Sequence, residues 1–369
     1  MTSSSRLLSR PVVPGRPALR KGRISLVWRP WVLFSTIAMI CAAVIIFAAS
    51  IAIGDYPLTI PEVLRIIFLG DGSRIERIAV FDWRMPRALT ALTVGFALGL
   101  AGALTQSVTG NPLASPDILG ITSGASAAAV TVLTFGGGVG AFAAVAGKIA
   151  TFGLPLAALA GGIITGAVVW ILSSRGSFDA YRLVLFGIII TALMNAYIGF
   201  LMTRAELRDA ATAQQWLAGS LNSTNWDRAV PVALVIFICV PLLAWMAYTL
   251  TAAVLGQDLA AALGLRVSRT QLTFLVIAVT LASIAVAAAG PIGFVAFVAP
   301  QLAVRITRLS TPPLVASAFM GAILLLGADL VVRTNIPVDL PVGIVTSAFG
   351  GVFLLYLLIS SNLKRSRSS

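Results

Sequence analysis

The chain of 369 residues contains no histidine and only two cysteines. Histidine is the commonest general base and metal ligand in proteins, so imidazole-based catalysis and a histidine-ligated metal centre are both excluded. Cys41 and Cys239 lie inside apolar stretches, where buried thiols are expected rather than a disulfide or a metal pair. We therefore predict that this chain binds no metal and no cofactor of its own.

A phosphate-binding loop is also missing from the sequence. The nearest match is Gly147-Lys148, but Ile149 stands where Ser or Thr would bind magnesium. No glycine lies five residues before Gly147, so the loop could not wrap a phosphate. We predict that the chain does not hydrolyse ATP and is not an enzyme.

Charged residues are scarce, at 11% of the chain, whereas 58% of the residues are hydrophobic and the mean hydropathy is +0.98. Such a chain cannot cover a water-facing surface with polar groups, so an integral membrane protein is expected. Helices of about 20 apolar residues cross a bilayer and satisfy their own backbone groups. The predicted fold is an all-α polytopic membrane protein with about ten spans. The spans lie near residues 31–53, 88–108, 116–135, 151–172, 183–203, 229–250, 270–290, 293–309, 312–332 and 342–361.

Acidic residues are absent from the tail before Pro30, whose charges are Arg6, Arg10, Arg16, Arg20, Lys21, Arg23 and Arg29. The other end carries Lys364, Arg365 and Arg367. Under the positive-inside rule, both termini are expected on the cytoplasmic side of the plasma membrane. We divide the chain into a basic tail at 1–30, a multi-pass transmembrane domain at 31–361 and a basic tail at 362–369. Contact of these tails with anionic lipid accounts for the net charge of +13 without nucleic-acid binding.

Carboxylates inside the predicted spans are nearly absent, since Asp329 is the only clear example. An ion-coupled secondary transporter needs buried ionisable groups or paired broken helices near the membrane midplane. Asp329 lies one helical turn from Arg333 and is better interpreted as its ion-pair partner. A secondary transporter is therefore the weaker alternative, and a membrane protein without a transport role is weaker still.

Residues 82–125 contain the most informative motifs of the chain. Arg84 and Arg87 flank a proline at the mouth of an apolar run that contains Gly95, Gly99 and Gly102. Small residues at this spacing let helices approach closely. This apolar run ends in a rigid turn. Much further along the chain, a Gly-Pro pair and an additional proline predict a half-length or bent eighth span. The predicted turn and hinge residues are Asn111, Pro112, Pro116, Gly290, Pro291 and Pro300.

Between the sixth and seventh spans, residues 251–271 form a cytoplasmic segment in the predicted topology. Its apolar residues recur at helical spacing between two bracketing glycines, Gly256 and Gly264. The segment is short and poor in aromatic residues, so a helix that docks on a soluble partner is favoured over one lying on lipid.

Together these motifs resemble a known family, the membrane permease subunits of the iron-siderophore and cobalamin class of ATP-binding-cassette importers, the FecCD-type or type II importers. The resemblance covers nearly all of 31–361. Its motifs are 84–87 (RMPR), 102–106 (GALTQ), 111–116 (NPLASP), 216–220 (WLAGS), 290–294 (GPIGF), 340–343 (LPVG), and the pairs Pro300/Arg305 and Asp329/Arg333. The sequence departs from the family pattern at Gln301, Asp339 and Val352, which leaves the identity of the transported chelate open.

The resemblance implies a type II permease fold and several partners. These are a second permease subunit in a homo- or heterodimer, two ATPase subunits that use ATP and magnesium, and an extracytoplasmic solute-binding protein. It implies that Arg84, Arg87 and Arg333 dock the binding protein. It also implies that the coupling helix at about 254–265 contacts the ATPase through Leu255, Gly256, Gln257, Asp258, Leu259, Ala262, Leu263 and Gly264. The expected substrate is a ferric siderophore, with cobalamin and haem as alternatives.

Overall fold

The computed structural model describes residues 18–21, 24–27, 29–54, 56, 58–135, 153–174, 179–222, 224–253, 262, 267–335 and 339–366. Its helices are α1 (Pro30–Ala52), α2 (Ile60–Leu69), α3 (Arg74–Ile78), α4 (Met85–Thr109), α5 (Ile121–Phe135), α6 (Leu154–Ser173), α7 (Ala180–Arg204), α8 (Leu207–Leu217), α9 (Trp226–Ala253), α10 (Val267–Ala289), α11 (Val295–Thr307), α12 (Leu314–Asn335) and α13 (Val342–Ser366). Two short strands, β1 (Ala18–Lys21) and β2 (Ile24–Val27), pair antiparallel within the N-terminal tail. This hairpin was not predicted.

Every predicted span contains one helix of the bundle. Within the described residues, seven helical stretches are long and apolar enough to cross a membrane, and α5, α11 and the first part of α13 are shorter apolar helices. The expectation of a half-length eighth span is confirmed, because α11 has only 13 residues and starts after the Gly290-Pro291 turn. The third span was placed too early, since residues 116–120 form turns and the helix begins at Ile121.

The helix that carries the two arginines is longer than predicted. Residues Ala79–Arg84 form a π-helical turn that joins α3 to α4 without a break. In a π-turn the carbonyl of Phe81 would accept from residue 86, but Pro86 has no N–H. The indole N–H of Trp226 donates to that carbonyl at 2.9 Å instead. Because Pro86 leaves this carbonyl without a helical donor, the hydrogen bond from Trp226 connects the start of α4 to the start of α9.

The centre of the bundle is α4, which packs against α9, α10, α11 and α12. Gly95 makes this close packing possible, since a Cβ atom there would lie 2.5 Å from the carbonyl oxygen of Gly321 on α12. Gly162 and Gly166 of α6 face Ser283 and Val279 of α10 in the same way. The close approach expected for the small residues of α4 is therefore confirmed at Gly95, and Gly162 and Gly166 show the same kind of packing.

Two short helices lie outside the bundle. The helix α8 is a short amphipathic helix that follows α7. The helix α2 was not predicted, because ten residues are too few to register as a span. Its start is fixed by a capping box, in which the carboxylate of Glu62 accepts from the backbone N–H of Thr59 at 2.7 Å. This N–H holds the pKa of Glu62 below its ordinary value.

Candidate functional site

Arg84 lies inside the protein at the start of α4, with only 6% of its surface exposed. Its guanidinium donates to the carbonyl oxygens of Ile51 at 3.1 Å and Ala52 at 3.0 Å, and also to that of Tyr56. The last carbonyls of a helix have no partner within the helix and carry partial negative charge. Arg84 therefore caps the end of α1. Gly54 leaves room for it, since a Cβ there would come within 2.8 Å of the guanidinium.

Asp329 of α12 is fully buried and lies between two arginines. Arg87 donates from Nε at 3.0 Å and from Nη2 at 2.7 Å to its Oδ1. Nε of Arg333 lies 3.1 Å from Oδ2 of the same carboxylate. Both arginine side chains are mostly buried, at 18% and 15% exposure. The carboxylate thus joins α4 to α12 through its bidentate ion pair with Arg87. Arg333, on the same helix as Asp329, adds a second positive charge beside the carboxylate.

Arg333 also reaches the end of α1. Its Nη2 donates to the hydroxyl of Ser50 at 2.6 Å and to the carbonyl of the same residue at 3.1 Å. Two arginines from different helices therefore hold the end of α1 in place. The expected pairing of Arg333 with Asp329 is present, whereas the stronger partner of Asp329, Arg87, was not anticipated from the sequence.

The three arginines line one polar cleft of about 790 Å³. The wall also contains Tyr56, Asp82, Trp83, Asn222, Thr224 and Asp339. The cleft brings together the three residues predicted to dock a binding protein, along with Asp339 from the loop before α13. Asp82, Trp83 and Asn222 are exposed at its edge. The three arginines, in contrast, are held in place by hydrogen bonds.

Three sequence motifs meet beside this cleft. The backbone N–H of Ser220 donates to the carbonyl of Ala289 at 2.8 Å, and that of Gly343 donates to Gly219 at 3.0 Å. Gly290 must be glycine, because its φ is +73° and a Cβ would lie 2.6 Å from the carbonyl oxygen of Trp216. We call residues 216–221, 289–293 and 340–343 the turn hub. The hub explains why glycine recurs in the WLAGS, GPIGF and LPVG motifs.

A second cavity, of about 700 Å³, lies on the other side of the turn hub. Leu217 and Pro291 of the hub line it, whereas Leu221 lines the cleft of the three arginines. We call the arginine cleft the outer cleft and this second cavity the inner cavity. The rest of its wall comes from the turn after α4 and from α5, α7, α11 and α13. Most of this wall is apolar, with Leu113, Ile198, Phe294, Phe297 and Leu354 among its residues.

The polar groups of this inner cavity come from the predicted turn. Gly110 ends α4 at a φ of +61°, and the side chain of Asn111 accepts from the backbone N–H of Leu113 at 2.9 Å. Asp117 accepts a hydrogen bond from the hydroxyl of Thr122 in the first turn of α5. Asn195 of α7 also lines the cavity. Asp117 and Asn195 were not singled out from the sequence, because only the folded chain shows that they share a cavity.

Pro300 acts together with two glutamines inside the bundle. Since proline has no N–H, the carbonyl of Ala296 loses its helical partner, and Gly102 of α4 packs directly against it. Gln106 donates to the next carbonyl, that of Phe297, at 3.2 Å, and Gln301 donates to Gln106 at 2.7 Å. The hinge prediction for Pro300 thus corresponds to a buried polar contact between α4 and α11.

The predicted coupling residues lie outside the described part of the chain, apart from Ala262. Ala262 is helical and exposed. Pro112 is exposed and Pro116 is buried in the turn after α4. Among the described residues, no group of His, Cys, Asp and Glu could hold a metal ion.

Comparison with solved structures identifies the fold. The chain superposes with a TM-score of 0.73 on a structure described as an inward-facing conformation of a metal-chelate type ABC transporter. The superposition covers 89% of this chain and 99% of that one, at 24% sequence identity. The chain therefore shares the fold of that structure.

Comparison with characterised sequences gives closer relatives. The ferric enterobactin transport system permease protein FepG of Escherichia coli is 40% identical over 299 residues, covering 80% of this chain and 87% of its own. The probable siderophore transport system permease protein YfhA of Bacillus subtilis is 35% identical, covering 92% and 98% of the two chains. The iron(3+)-hydroxamate import system permease protein FhuG of Bacillus subtilis is also 35% identical, covering 86% and 94%. Residues 41–360 match the FecCD transport family. The chain is therefore a multi-pass membrane permease that belongs to the FecCD transport family.

Proposed function

We propose that the chain is the permease subunit of an ABC importer that carries a ferric siderophore across the cytoplasmic membrane. The observation that carries this proposal is the stack of outer cleft, turn hub and inner cavity within a fold whose relatives are named as siderophore and iron-hydroxamate permeases. The cavity of about 700 Å³ has a size suited to a bulky chelate. Its largely apolar wall favours passage over tight retention.

The energy for transport comes from two separate ATPase subunits, since no phosphate loop exists in this chain. They engage the coupling segment at 254–265 from the cytoplasm, where both termini also lie. A second permease subunit, either identical or related, completes the path. Movement of the ATPases is transmitted as rigid-body motion, because glycine-packed helices transmit displacement without deforming.

An extracytoplasmic binding protein delivers the chelate to the outer cleft. Arg84, Arg87 and Arg333 supply the positive charge that attracts acidic residues on that protein. Their guanidiniums are already held by Asp329 and by the end of α1, so docking adds acceptors to donors that are fixed in position. Preorganised donors lose little side-chain entropy on binding, which favours this arrangement at a docking surface.

The importer is tested by reconstituting the permease with its ATPase and binding protein in liposomes and measuring uptake of ⁵⁵Fe-labelled siderophore. We expect uptake to require ATP on the side of the liposome membrane where the ATPase subunits lie. Proton or sodium gradients should not affect it. Uptake driven by an ion gradient without ATP would identify a secondary transporter. Uptake of labelled cobalamin or labelled haem, without uptake of the labelled ferric siderophore, would assign the chelate to one of those alternatives.

The docking role is tested by a double-mutant cycle, because a single arginine substitution also breaks an ion pair. Arg87→Ala, Asp329→Ala and the double variant are compared for thermal stability and for binding-protein affinity at two salt concentrations. The double variant is expected to recover part of the lost stability, since no buried charge is left alone in that pair. If Arg87 docks the binding protein, the affinity stays low and loses part of its salt dependence. If affinity recovers along with stability, Arg87 has only a structural role.

A further inference from the structure

The helix α2 has one face buried against the end of α1. Val63 and Ile66 are 5% and 2% exposed and belong to a small apolar cluster with Ile51, Ala52 and Val80. The contact fixes α2 at the level of the last turn of α1. The other two sides of α2 lie outside this cluster.

A second face of α2 is apolar and exposed. Ile60, Leu64 and Phe68 follow one another at intervals of four residues and are 57%, 48% and 79% exposed. Residues at this spacing lie in a row along one side of a helix. Three large apolar side chains in water would cost free energy in proportion to their exposed area, so the row requires a covering partner.

The third face of α2 is polar. It carries Glu62 and Arg65, with Leu69 between them on the helix surface. Glu62 is ionised and held by the N–H of Thr59. The helix therefore has a buried side, an exposed apolar side and a water-facing side in succession. This division is typical of a helix lying in the plane of a membrane surface.

The position of α2 relative to the bilayer follows from α1. A helix of 23 residues is about 34 Å long and spans a hydrocarbon core of about 30 Å. Because α2 packs on the last two residues of α1, it lies at the boundary between hydrocarbon and headgroups. Exposed aromatic residues, Tyr56 and Trp83, are found at the same level, where such residues are enriched in membrane proteins.

We propose that α2 is an in-plane interfacial helix whose apolar row, Ile60, Leu64 and Phe68, inserts among phospholipid acyl chains of one leaflet. With cytoplasmic termini, this is the outer leaflet. Continuity with the spanning surface argues for lipid rather than a protein partner, because Ile53, directly after α1, is 45% exposed and extends the apolar surface of α1 toward α2. The helix then fixes the height of the outer cleft above the bilayer, since Tyr56 lies in the segment between α1 and α2 and Arg84 donates to its carbonyl.

The depth of α2 can be measured by site-directed spin labelling of the full chain in phosphatidylcholine liposomes. Cys41 and Cys239 are first replaced by alanine, and single cysteines are then introduced by Leu64→Cys and Phe68→Cys. Arg65→Cys and Leu69→Cys are the matched controls, because Leu69 is equally apolar and 75% exposed but lies on the polar side. All four side chains are on the surface, so the labels leave the packing of α2 intact.

We expect labels at 64 and 68 to collide several-fold more often with oxygen, relative to a water-soluble nickel chelate, than labels at 65 and 69. Equal accessibility of all four positions to the nickel chelate would overturn the proposal, because the row would then face water. Exclusion of both reagents from 64 and 68 would also overturn it, since a protein surface, such as a second copy, would then cover the row. The measurement needs neither the ATPase nor the binding protein, so its outcome is independent of the proposed transport activity.

Discussion

The outer cleft and the inner cavity are of similar size but are built from opposite chemistry. In the outer cleft, three arginines are fixed by a buried carboxylate and by the end of a helix. In the inner cavity, the wall is mostly aliphatic and aromatic, and its carboxylate, Asp117, is bound to Thr122 a few residues along the chain. The ion pairs of the outer cleft therefore connect helices that are far apart in the sequence. The side chains that line the inner cavity make few such connections and contribute little to the stability of the bundle. Substitutions should affect stability at the first and transport at the second.

The largest effect is expected for Asp329→Ala. The change leaves Arg87 and Arg333 without their shared carboxylate in a largely buried setting, which should cost about 3–5 kcal/mol of stability. The thermal unfolding midpoint of the purified chain in nanodiscs measures this loss. Asp82→Ala is the matched control, because Asp82 lines the same cleft but is exposed, and a change within about 0.5 kcal/mol is expected there. Equal effects of the two substitutions would show that the buried ion pairs of Asp329 do not stabilise the bundle.

The sequence predicted the bundle well because long apolar runs are a local property. It predicted the contact between Asp329 and Arg333 for the same reason, since the two residues are one helical turn apart. The stronger contact of Asp329 is with Arg87, 242 residues away, and no local pattern could indicate it. The same limit applies to Asp117 and Asn195, which share a cavity only because α5 and α7 pack together.

Short elements escaped prediction for a different physical reason. The helix α2 is defined by three faces over ten residues, and its apolar face was too short to stand out against longer apolar runs. The turn hub was recognised as three separate motifs. Their meeting depends on backbone hydrogen bonds between residues that are about 70 and about 120 positions apart in the chain, which the spacing of the motifs does not reveal.

An intermediate effect is expected for Gly102→Ala, at the crossing of α4 and α11. The added methyl group would run into the carbonyl oxygen of Ala296, so the two backbones must separate. Overpacking of this kind costs about 1–3 kcal/mol, again measured as a lower unfolding midpoint. Gly199→Ala on α7 is the control, because nothing lies within 4 Å of the position. That control should leave stability unchanged or raise it by up to about 1 kcal/mol, since alanine favours the helix. A loss at 199 equal to that at 102 would show that general helix effects, not the close crossing, determine the outcome.

The smallest effect on stability, and the one most specific to transport, is expected for Asp117→Asn. The amide oxygen can still accept from Thr122, so the unfolding midpoint should stay within error of the parent. Burial raises the pKa of the Asp117 carboxyl, so uptake is compared at alkaline pH, where the ionised fraction is largest. Under that condition the substitution removes negative charge from the cavity wall, which should change uptake by about threefold in a partly hydrated path. The rate should rise for a ferric chelate of net negative charge and fall for one of net positive charge. Asp71→Asn, at an exposed site outside the cavity, should change neither.

Uptake of ⁵⁵Fe-labelled chelates of opposite net charge by the reconstituted importer measures this sign directly. If both chelates change in the same direction, the substitution acts through the structure of the turn after α4 rather than through charge. If neither changes and stability is intact, the chelate does not pass Asp117, and the inner cavity is not on its path. An opposite response of the two chelates would place the carboxylate beside the moving substrate, in contrast to Asp329, whose charge serves only to hold α4 and α12 together.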